Sequence, residues 1–288
     1  MRILVVSDIH ANYAALSAID EPFDVCLMLG DLVDYGPDPA ECVRWSMHHA
    51  HYAIRGNHDH GVAHGVEVRG DHGYRYLTRT TRPLMWRALG PEERGYLLRL
   101  PLTRRCMLGG KRFLLVHGTP RDPLDEYLLK DTETWSRRGR NSDADIVCVG
   151  HSHMQFRLDL GNVAIVNPGS VGQPRDGDAR AAYAVIDLEA DRIDLKRVSY
   201  PIDDAVARMD AALYRTGPSG SMLTASVRAA CPRRTIPSSR RTAAWPRPPS
   251  PSRPDERRGR RPRRFALPLP VRLAVRRAGR GGCLYNKF

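Results

Sequence analysis

Aspartate, asparagine and histidine residues recur in this sequence directly after short apolar runs. The polar clusters are Ser7-Asp8-Ile9-His10, Gly30-Asp31, Gly56-Asn57-His58-Asp59, His117-Gly118, Gly150-His151-Ser152-His153 and Asn167-Pro168-Gly169-Ser170. Each preceding run has the length and composition of a buried β-strand. Ligands of open α/β sheets bind beyond the carboxyl ends of the strands, so we expect these clusters to meet in one place.

Together the clusters supply aspartate carboxylates, asparagine amides and several imidazoles, a donor set that suits divalent transition metals. The set is larger than the three or four protein ligands of a single zinc ion. Two ions about 3.5–4 Å apart, sharing a bridging carboxylate, would use it fully. The alternating histidines of GHSH point to the same side of an extended segment, which strengthens the metal-site interpretation.

Each motif alone has another explanation. Asp-x-His is common, Gly-Asp and GNHD also occur as simple turns, and a single histidine such as His117 is often a hydrogen-bonded structural residue. Five motifs in order, each at the end of a predicted strand, favour a shared metal site over five unrelated turns.

The elements that position these motifs are predicted from apolar spacing and turn residues. Strands are predicted at 2–7, 24–29, 51–55, 112–116, 145–149, 163–166, 182–188 and 192–199, and helices at 12–19, 39–49, 91–99 and 203–214. Residues 60–90 are predicted as loop and helix. Strands alternate with helices in the first half, which indicates parallel βαβ units, whereas the second half is mostly strands and indicates antiparallel pairing.

The charge of the chain is divided unevenly between two kinds of sequence. Residues 217–288 contain 18 Lys+Arg and 2 Asp+Glu, whereas residues 1–216 contain 27 and 30. We therefore predict a folded domain over 1–216 and an Arg/Pro-rich tail over 217–288 that buries too little apolar surface to fold. The tail is either a tether for nucleic acid or another anionic surface, or the product of a GC-rich gene read out of frame, as 17 arginines against one lysine would indicate.

The cellular compartment is predicted from the apolar segments and the cysteines of the sequence. The apolar run after Met1 is too short for a signal peptide core, and no stretch reaches the roughly 20 apolar residues of a membrane span. The six cysteines show no CxxC spacing, and Cys26 and Cys148 lie within apolar runs, as buried thiols do in a reducing compartment. A soluble, cytoplasmic protein with no membrane partner is expected.

The motifs Asp8-x-His10, Gly30-Asp31, Gly56-Asn57-His58-Asp59, His117 and Gly150-His151-Ser152-His153 resemble those of the calcineurin-like metallophosphoesterase superfamily. The segments 30–42 and 167–183 are similar to a bacterial and archaeal group of small phosphodiesterase-like proteins. The resemblance covers roughly residues 1–200. It implies an α/β fold, a four-layer α/β/β/α sandwich with two mixed sheets and a metal site at the carboxyl ends of the strands.

The resemblance also implies a role for each site residue. One metal ion would be held by Asp8, His10, Asp31 and His153, and the second by Asp31, Asn57, His117 and His151. A hydroxide bridging the ions would attack the phosphorus, and His58 would protonate the leaving oxygen, with Asp59 orienting the His58 ring. Manganese is the metal most expected, with iron, nickel, cobalt and zinc as alternatives.

Two departures bear on the substrate. Tyr35 follows Asp34 where protein phosphatases of the superfamily have arginine, and Asp59 stands where they have glutamate. These differences favour phosphodiester hydrolysis over a protein phosphatase or a dinucleoside tetraphosphatase. A phosphomonoesterase or nucleotide pyrophosphatase with the same site remains open. A nucleic-acid-binding protein, tethered by its basic tail, is the alternative of another class.

The substrate is expected to be a phosphate-ester small molecule or a nucleotide. The turn-rich loop after residue 166 could face it, with Asn167, Gly169 and Arg175 as candidate contacts. Arg175 could equally be a surface arginine beside a structural turn. The sequence does not indicate an oligomeric state.

Overall fold

Ten strands of the chain form two five-stranded sheets. The computed structural model describes residues 1–214 of the 288 in the sequence. The strands are β1 (Arg2–Val6), β2 (Val25–Met28), β3 (Tyr52–Ala53), β4 (Thr103–Leu108), β5 (Lys111–Val116), β6 (Ile146–Cys148), β7 (Gln155–Asp159), β8 (Ala164–Pro168), β9 (Ala181–Asp187) and β10 (Arg192–Val198). The helices are α1 (Tyr13–Ser17), α2 (Pro39–His49), α3 (Asn57–Ala63), α4 (Gly73–Ala88), α5 (Pro91–Arg99), α6 (Thr132–Gly139) and α7 (Ile202–Tyr214).

Both sheets are mixed. The first sheet has the order β10-β9-β1-β2-β3, and the second has the order β4-β5-β6-β8-β7. Strands β1, β2 and β3 run parallel to one another, as do β5, β6 and β8, while β4, β7, β9 and β10 pair antiparallel to their neighbours. The prediction of parallel units in the first half is therefore confirmed, and the later strands contain the expected antiparallel pairs together with the parallel strands β5, β6 and β8. The carboxyl ends of the parallel strands are the ends that carry the polar motifs.

The alternation of apolar residues along the strands creates four layers. In β1, Leu4 and Val6 pack on helices, while Ile3 and Val5 pack between the two sheets with residues of the second sheet such as Phe113. Alternate side chains of a strand point to opposite faces, so a strand buried on both faces is apolar throughout. The second sheet buries its other face against α6 through Trp135. The four-layer α/β/β/α sandwich is thereby confirmed.

Several elements were not predicted. Strand β4 has the sequence TRRCML and is largely exposed, because it is an edge strand whose outer face meets solvent. Its arginines hide the apolar alternation on which strand prediction depends. Strand β7 and helix α6 were also missed, and residues 60–90 contain the long helix α4.

The predicted C-terminal helix is confirmed as α7. The predicted tail over 217–288, and its boundary with the folded domain, lie outside the described residues. Within residues 1–214, none of the helices combines the length and the apolar character that crossing a membrane requires.

The loops after β2 and β3 meet at two glycines. Gly30 has a φ of +95°, and a Cβ built on it would lie 2.4 Å from the backbone nitrogen of Gly56. A Cβ on Gly56 would in turn lie 2.0 Å from Oδ1 of Asp31. This close approach of two backbones brings Asp31 and Asn57 together, and only glycine permits it.

We therefore expect Gly30→Ala to lower the free energy of unfolding by more than the cost of placing an alanine in a left-handed backbone conformation. The backbone conformation costs about 1–2 kcal/mol for a residue with a Cβ, and the overlap with Gly56 adds roughly 1–3 kcal/mol. Equilibrium urea unfolding, with a chelator present so that metal binding does not contribute, measures the free energy. Gly65→Ala is the matched control, because Gly65 also has a positive φ of +66° but its Cβ would meet nothing within 4 Å. Equal losses for the two variants would contradict the expected overlap.

Candidate metal centre

The residues that line the site lie on sharply turned backbone immediately after the strands. Left-handed φ values, unusual for residues other than glycine, occur at Asp8 (54°), His10 (48°), Asp31 (59°), His151 (63°) and His153 (57°). This conformation is disfavoured by about 1–2 kcal/mol at each residue, so the surrounding structure must maintain it. Backbone bonds do so: Asp8 donates to the carbonyl of Gly30 at 3.0 Å, and His10 to that of Asp31 at 2.9 Å.

One group of possible metal ligands consists of Asp8, His10 and His153, all buried. The Nε2 atoms of the two histidines are 3.1 Å apart, and Nε2 of His153 lies 3.3 Å from Oδ1 of Asp8. The opposite ring nitrogens are fixed by backbone carbonyls, Nδ1 of His10 by Val33 at 3.0 Å and Nδ1 of His153 by Gln173 at 2.6 Å. When Nδ1 donates to a carbonyl, Nε2 keeps its lone pair for a metal.

A second group consists of Asp31, His117 and His151. Nε2 of His117 lies 3.2 Å from Oδ2 of Asp31 and 3.2 Å from Oδ1 of Asn57, while its Nδ1 contacts the carbonyl of Leu29 at 2.8 Å. Oδ2 of Asp31 is also 3.8 Å from Nε2 of His10, a member of the first group. Asp31 therefore lies between the two groups.

The hydrogen bonding of two buried carboxylate oxygens indicates whether these residues fit metal ions. Among the described residues, Oδ1 of Asp8 and Oδ2 of Asp31 accept no hydrogen bond, although both carboxylates are almost fully buried. A buried carboxylate oxygen without a partner is costly, and a cation removes that cost. These two oxygens face imidazole nitrogens that also suit a divalent transition metal. The donor set thus fits two ions, one beside each group.

The pKa values of the histidines in the site agree with the interpretation that these residues bind metal ions. Burial lowers the pKa of His10 well below its usual value, and it lowers the pKa of His151 to about 3, so both rings are neutral as ligands must be. Burial also lowers the pKa of His117, but the Asp31 carboxylate outweighs it and raises this pKa to about 10. A proton on His117 partly offsets the buried negative charge, and a bound metal ion would displace it.

His58 lies beside these groups without joining either. Its Nδ1 is 2.7 Å from Oδ2 of Asp34, and its Nε2 is 3.2 Å from the hydroxyl of Tyr35. Burial lowers the pKa of His58, but the charge of Asp31 and the hydrogen bond to Asp34 outweigh it, so the pKa is raised. The side chain is thus suited to hold a proton near neutral pH, with Nδ1 fixed and Nε2 directed toward Tyr35.

The prediction that Asp59 orients His58 is wrong. Asp59 is the third residue of α3, where a carboxylate turns back to cap the helix start, and it accepts from the backbone nitrogen of Gly56 at 3.0 Å. It also accepts from the backbone nitrogens of Asp31 at 2.7 Å and Leu32 at 2.8 Å. Burial and the nearby Asp31 charge raise the pKa of Asp59 to about 7, even though these amides favour its ionised form. Asp59 holds the Asp31 loop against α3, and Asp34 contacts the His58 ring.

Asp34 and its partner Arg82 were not among the predicted site residues. Arg82 on α4 is 4% exposed and donates from Nε to both Asp34 oxygens at 3.0 Å. The second aspartate of GDLVD was an available signal for Asp34, since it follows Asp31 in a motif already identified. Nothing in the local sequence distinguishes Arg82 from the other arginines of α4.

The three predicted substrate contacts have different environments. Asn167 is buried, and its amide donates to the carbonyl of Gly150 and the hydroxyl of Ser152 while its oxygen accepts from the nitrogen of Gly169. A Cβ on Gly169 would meet Ala182 at 2.9 Å. These two residues form part of the internal framework, so their prediction as substrate contacts is wrong.

Arg175, by contrast, lies at the edge of the site. Its guanidinium is 3.9 Å from the centroid of the Tyr74 ring, and its Nη2 donates to the side chain of Gln173 at 3.2 Å. Its Nε is buried without a hydrogen-bond partner among the described residues. Arg175 therefore retains an unused donor.

Comparison with known proteins agrees with the fold and the metal-binding motifs. Residues 1–191 match the calcineurin-like phosphoesterase superfamily domain. The chain is 32% identical to an uncharacterized protein of Methanocaldococcus jannaschii over 231 residues, covering 72% of this chain and 91% of that one. It is 26% identical to the phosphodiesterase YfcE of Escherichia coli, covering 65% of this chain and 88% of that one.

Among solved structures, a metallophosphoesterase from Sphaerobacter thermophilus is similar, with a TM-score of 0.64 and 32% identity. The match covers 80% of this chain and 99% of the other. The family match extends over well more than half of the sequence and includes every residue of the two ligand groups. The chain therefore belongs to the calcineurin-like phosphoesterase superfamily and is a hydrolase that acts on phosphoric esters.

Proposed function

We propose that this protein hydrolyses phosphodiesters with two divalent transition-metal ions, manganese being the most expected. The observation that carries the proposal is the position of Asp31 between two His/Asp groups whose carboxylates each bury an oxygen without a partner. The name of the similar Escherichia coli protein, a phosphodiesterase, supports the diester preference. Tyr35 in place of an arginine supports it as well, because a phosphomonoester carries more negative charge for such an arginine to bind.

In this proposal Asp8, His10 and His153 hold one ion, Asn57, His117 and His151 hold the other, and Asp31 binds both. When bound, such ions act as Lewis acids on phosphoryl oxygens and lower the pKa of water. Arg175, with its unused Nε donor at the edge of the site, is proposed to pair with a phosphate oxygen.

His58 is proposed to protonate the leaving oxygen from Nε2. Its Nδ1 proton is held by Asp34 at 2.7 Å, which fixes the tautomer and leaves Nε2 to exchange a proton with the substrate. The hydroxyl of Tyr35 lies 3.2 Å from Nε2, beside the atom that would donate the proton. General-acid help of this kind is worth roughly 10²–10⁴-fold in rate.

We further propose a cytoplasmic location and a small phosphate ester or nucleotide as substrate. The location is supported by the four cysteines of the described part, Cys26, Cys42, Cys106 and Cys148, which carry free thiols, as expected in a reducing compartment.

The first prediction from this proposal concerns metal stoichiometry. Protein stripped with a chelator and dialysed against Mn²⁺ is expected to bind two ions per chain by elemental analysis. His10→Ala should retain the second group and lose one ion, whereas Asp31→Ala should lose both, because Asp31 lies between the groups. His48→Ala on the exposed face of α2 is the control, and circular dichroism verifies folding. Two ions bound by Asp31→Ala would contradict a bridging role.

The second prediction separates metal binding from proton transfer. His58→Ala should still bind two Mn²⁺ ions and should lower kcat for bis-p-nitrophenyl phosphate by at least about tenfold, since it removes the proposed proton donor. Release of p-nitrophenol measures turnover. His48→Ala should retain the activity of the unmodified protein. If the Mn²⁺-loaded protein leaves the diester intact but cleaves p-nitrophenyl phosphate, the diester preference is wrong.

A double-mutant cycle tests whether Asp34 acts through His58. Asp34→Asn should lower kcat on its own and have little further effect in a His58→Ala background, because its hydrogen bond to the ring is already gone. Asp59→Asn, which acts on the backbone of the Asp31 loop, should lower activity in both backgrounds by similar factors. Urea unfolding of each variant accounts for lost stability, since Asp34→Asn also weakens the pairing with Arg82. Equal coupling of both aspartates to His58 would contradict the assignment.

A further inference from the structure

A cavity of about 70 Å³ lies between α7 and the loops that carry the metal-binding side chains. His10 and Tyr35 of the site form part of its lining. The remaining lining is mostly apolar and includes Pro174, Ala179, Ile202, Ala205, Val206 and Met209. The cavity thus shares His10 and Tyr35 with the candidate metal centre on one side and is bounded by α7 on another.

The polar side chain of Asn12 in this lining already forms hydrogen bonds within the protein. Its amide nitrogen lies 3.1 Å from the carbonyl oxygen of Gly172 and 3.2 Å from the hydroxyl of Tyr200, and its oxygen accepts from the nitrogen of Ala15 at 3.1 Å. The backbone oxygen of Gln173 accepts from His153. An apolar ligand buries no polar group in such surroundings and therefore pays no desolvation penalty. A charged group without a partner would be strongly disfavoured, because its lost hydration would not be replaced.

Tyr35 links the cavity to the proposed proton donor. Its ring lies 4.6 Å from the His10 ring between centroids, and its hydroxyl is 3.2 Å from Nε2 of His58. The same side chain therefore lines the cavity and contacts the nitrogen from which the leaving oxygen would receive its proton. A group attached to that oxygen would lie beside a side chain that also lines the cavity.

We propose that this cavity binds the leaving alcohol of the ester, and that it selects a short, uncharged aliphatic group. The inference rests on the proposed phosphodiester hydrolysis and names the substrate class for that site. The volume of about 70 Å³ is roughly half that of an engineered apolar cavity that holds benzene, so a short alkyl chain fits better than a complete ring. The substrate class is therefore a diester with one small alkyl alcohol.

Binding of two non-hydrolysable probes tests the cavity without turnover. The Mn²⁺-loaded full chain is titrated calorimetrically with butylphosphonate and with methylphosphonate, which share the anionic group and differ by three methylenes. Butylphosphonate should bind at least about tenfold more tightly than methylphosphonate. A single methylene that fills an apolar pocket changes discrimination by about tenfold or more. If neither phosphonate binds, the proposed metal-dependent function fails, and the inference fails with it. If both bind equally well, the function survives and the cavity does not bind the alkyl group.

Filling the cavity should remove this preference. Ala205→Leu places a larger side chain in the cavity from α7 and should reduce the affinity for butylphosphonate to that for methylphosphonate, leaving the latter unchanged. Ala179→Leu, from the loop before β9, should have the same effect and serves if Ala205→Leu does not fold. Ala207→Leu is the matched control, because it makes the same change on the exposed face of α7. Unchanged butylphosphonate binding in both cavity variants would overturn the proposal.

The products of butyl methyl phosphate identify which alcohol the cavity holds. If the cavity binds the leaving group, the Mn²⁺-loaded protein should release butanol over methanol by about tenfold, measured by gas chromatography. Ala205→Leu should shift the ratio toward methanol, while Ala207→Leu should not change it. Methanol in excess would place the butyl group on the retained side and overturn the assignment to the leaving alcohol.

Discussion

Two carboxylates buried side by side, Asp8 and Asp31, impose the constraint on which the rest of this structure depends. Each has an oxygen that accepts no hydrogen bond among the described residues, and a buried carboxylate oxygen without a partner is costly. The imidazoles of His153 and His117 lie 3.3 and 3.2 Å from these oxygens. Divalent cations satisfy the same oxygens with more charge, so the fold is organised around an electrostatic requirement rather than around packing alone.

The two-sheet architecture follows from the need to bring both carboxylates to one place. Asp8, Asp31 and Asn57 follow β1, β2 and β3 of the first sheet, whereas His117 and the pair His151 and His153 follow β5 and β6 of the second. Packing the sheets face to face places these strand ends next to each other. Left-handed backbone at four of these positions and at His10 then turns the side chains inward, and hydrogen bonds between the loops maintain that costly conformation.

The strands and site residues that the sequence could predict are those identified by a pattern of neighbouring residues. A short apolar run followed by a polar motif identified most of the strands and the residues that now form both ligand groups, although the metal-binding role of those residues stays a prediction. Edge strand β4 could not be found, because its arginines interrupt the alternation. The partner of His58 was assigned wrongly for a similar reason: Asp59 is adjacent in sequence, but its position in the first turn of α3 directs it to the helix start.

The pairing of Arg82 with Asp34 joins residues 48 positions apart, and its consequence extends beyond stability. Burial lowers the pKa of His58, the charges of Asp31 and Asp34 raise it, and Arg82 lowers it again. A general acid works best when its pKa lies near the working pH, so an imidazole facing two uncompensated carboxylates would hold its proton too firmly. Arg82 neutralises Asp34, and the Oδ2 atom that accepts from Arg82 also fixes Nδ1 of His58. Orientation of the ring and moderation of its basicity are thus divided between two side chains, so that one carboxylate can position the proposed proton donor without preventing the proton from leaving.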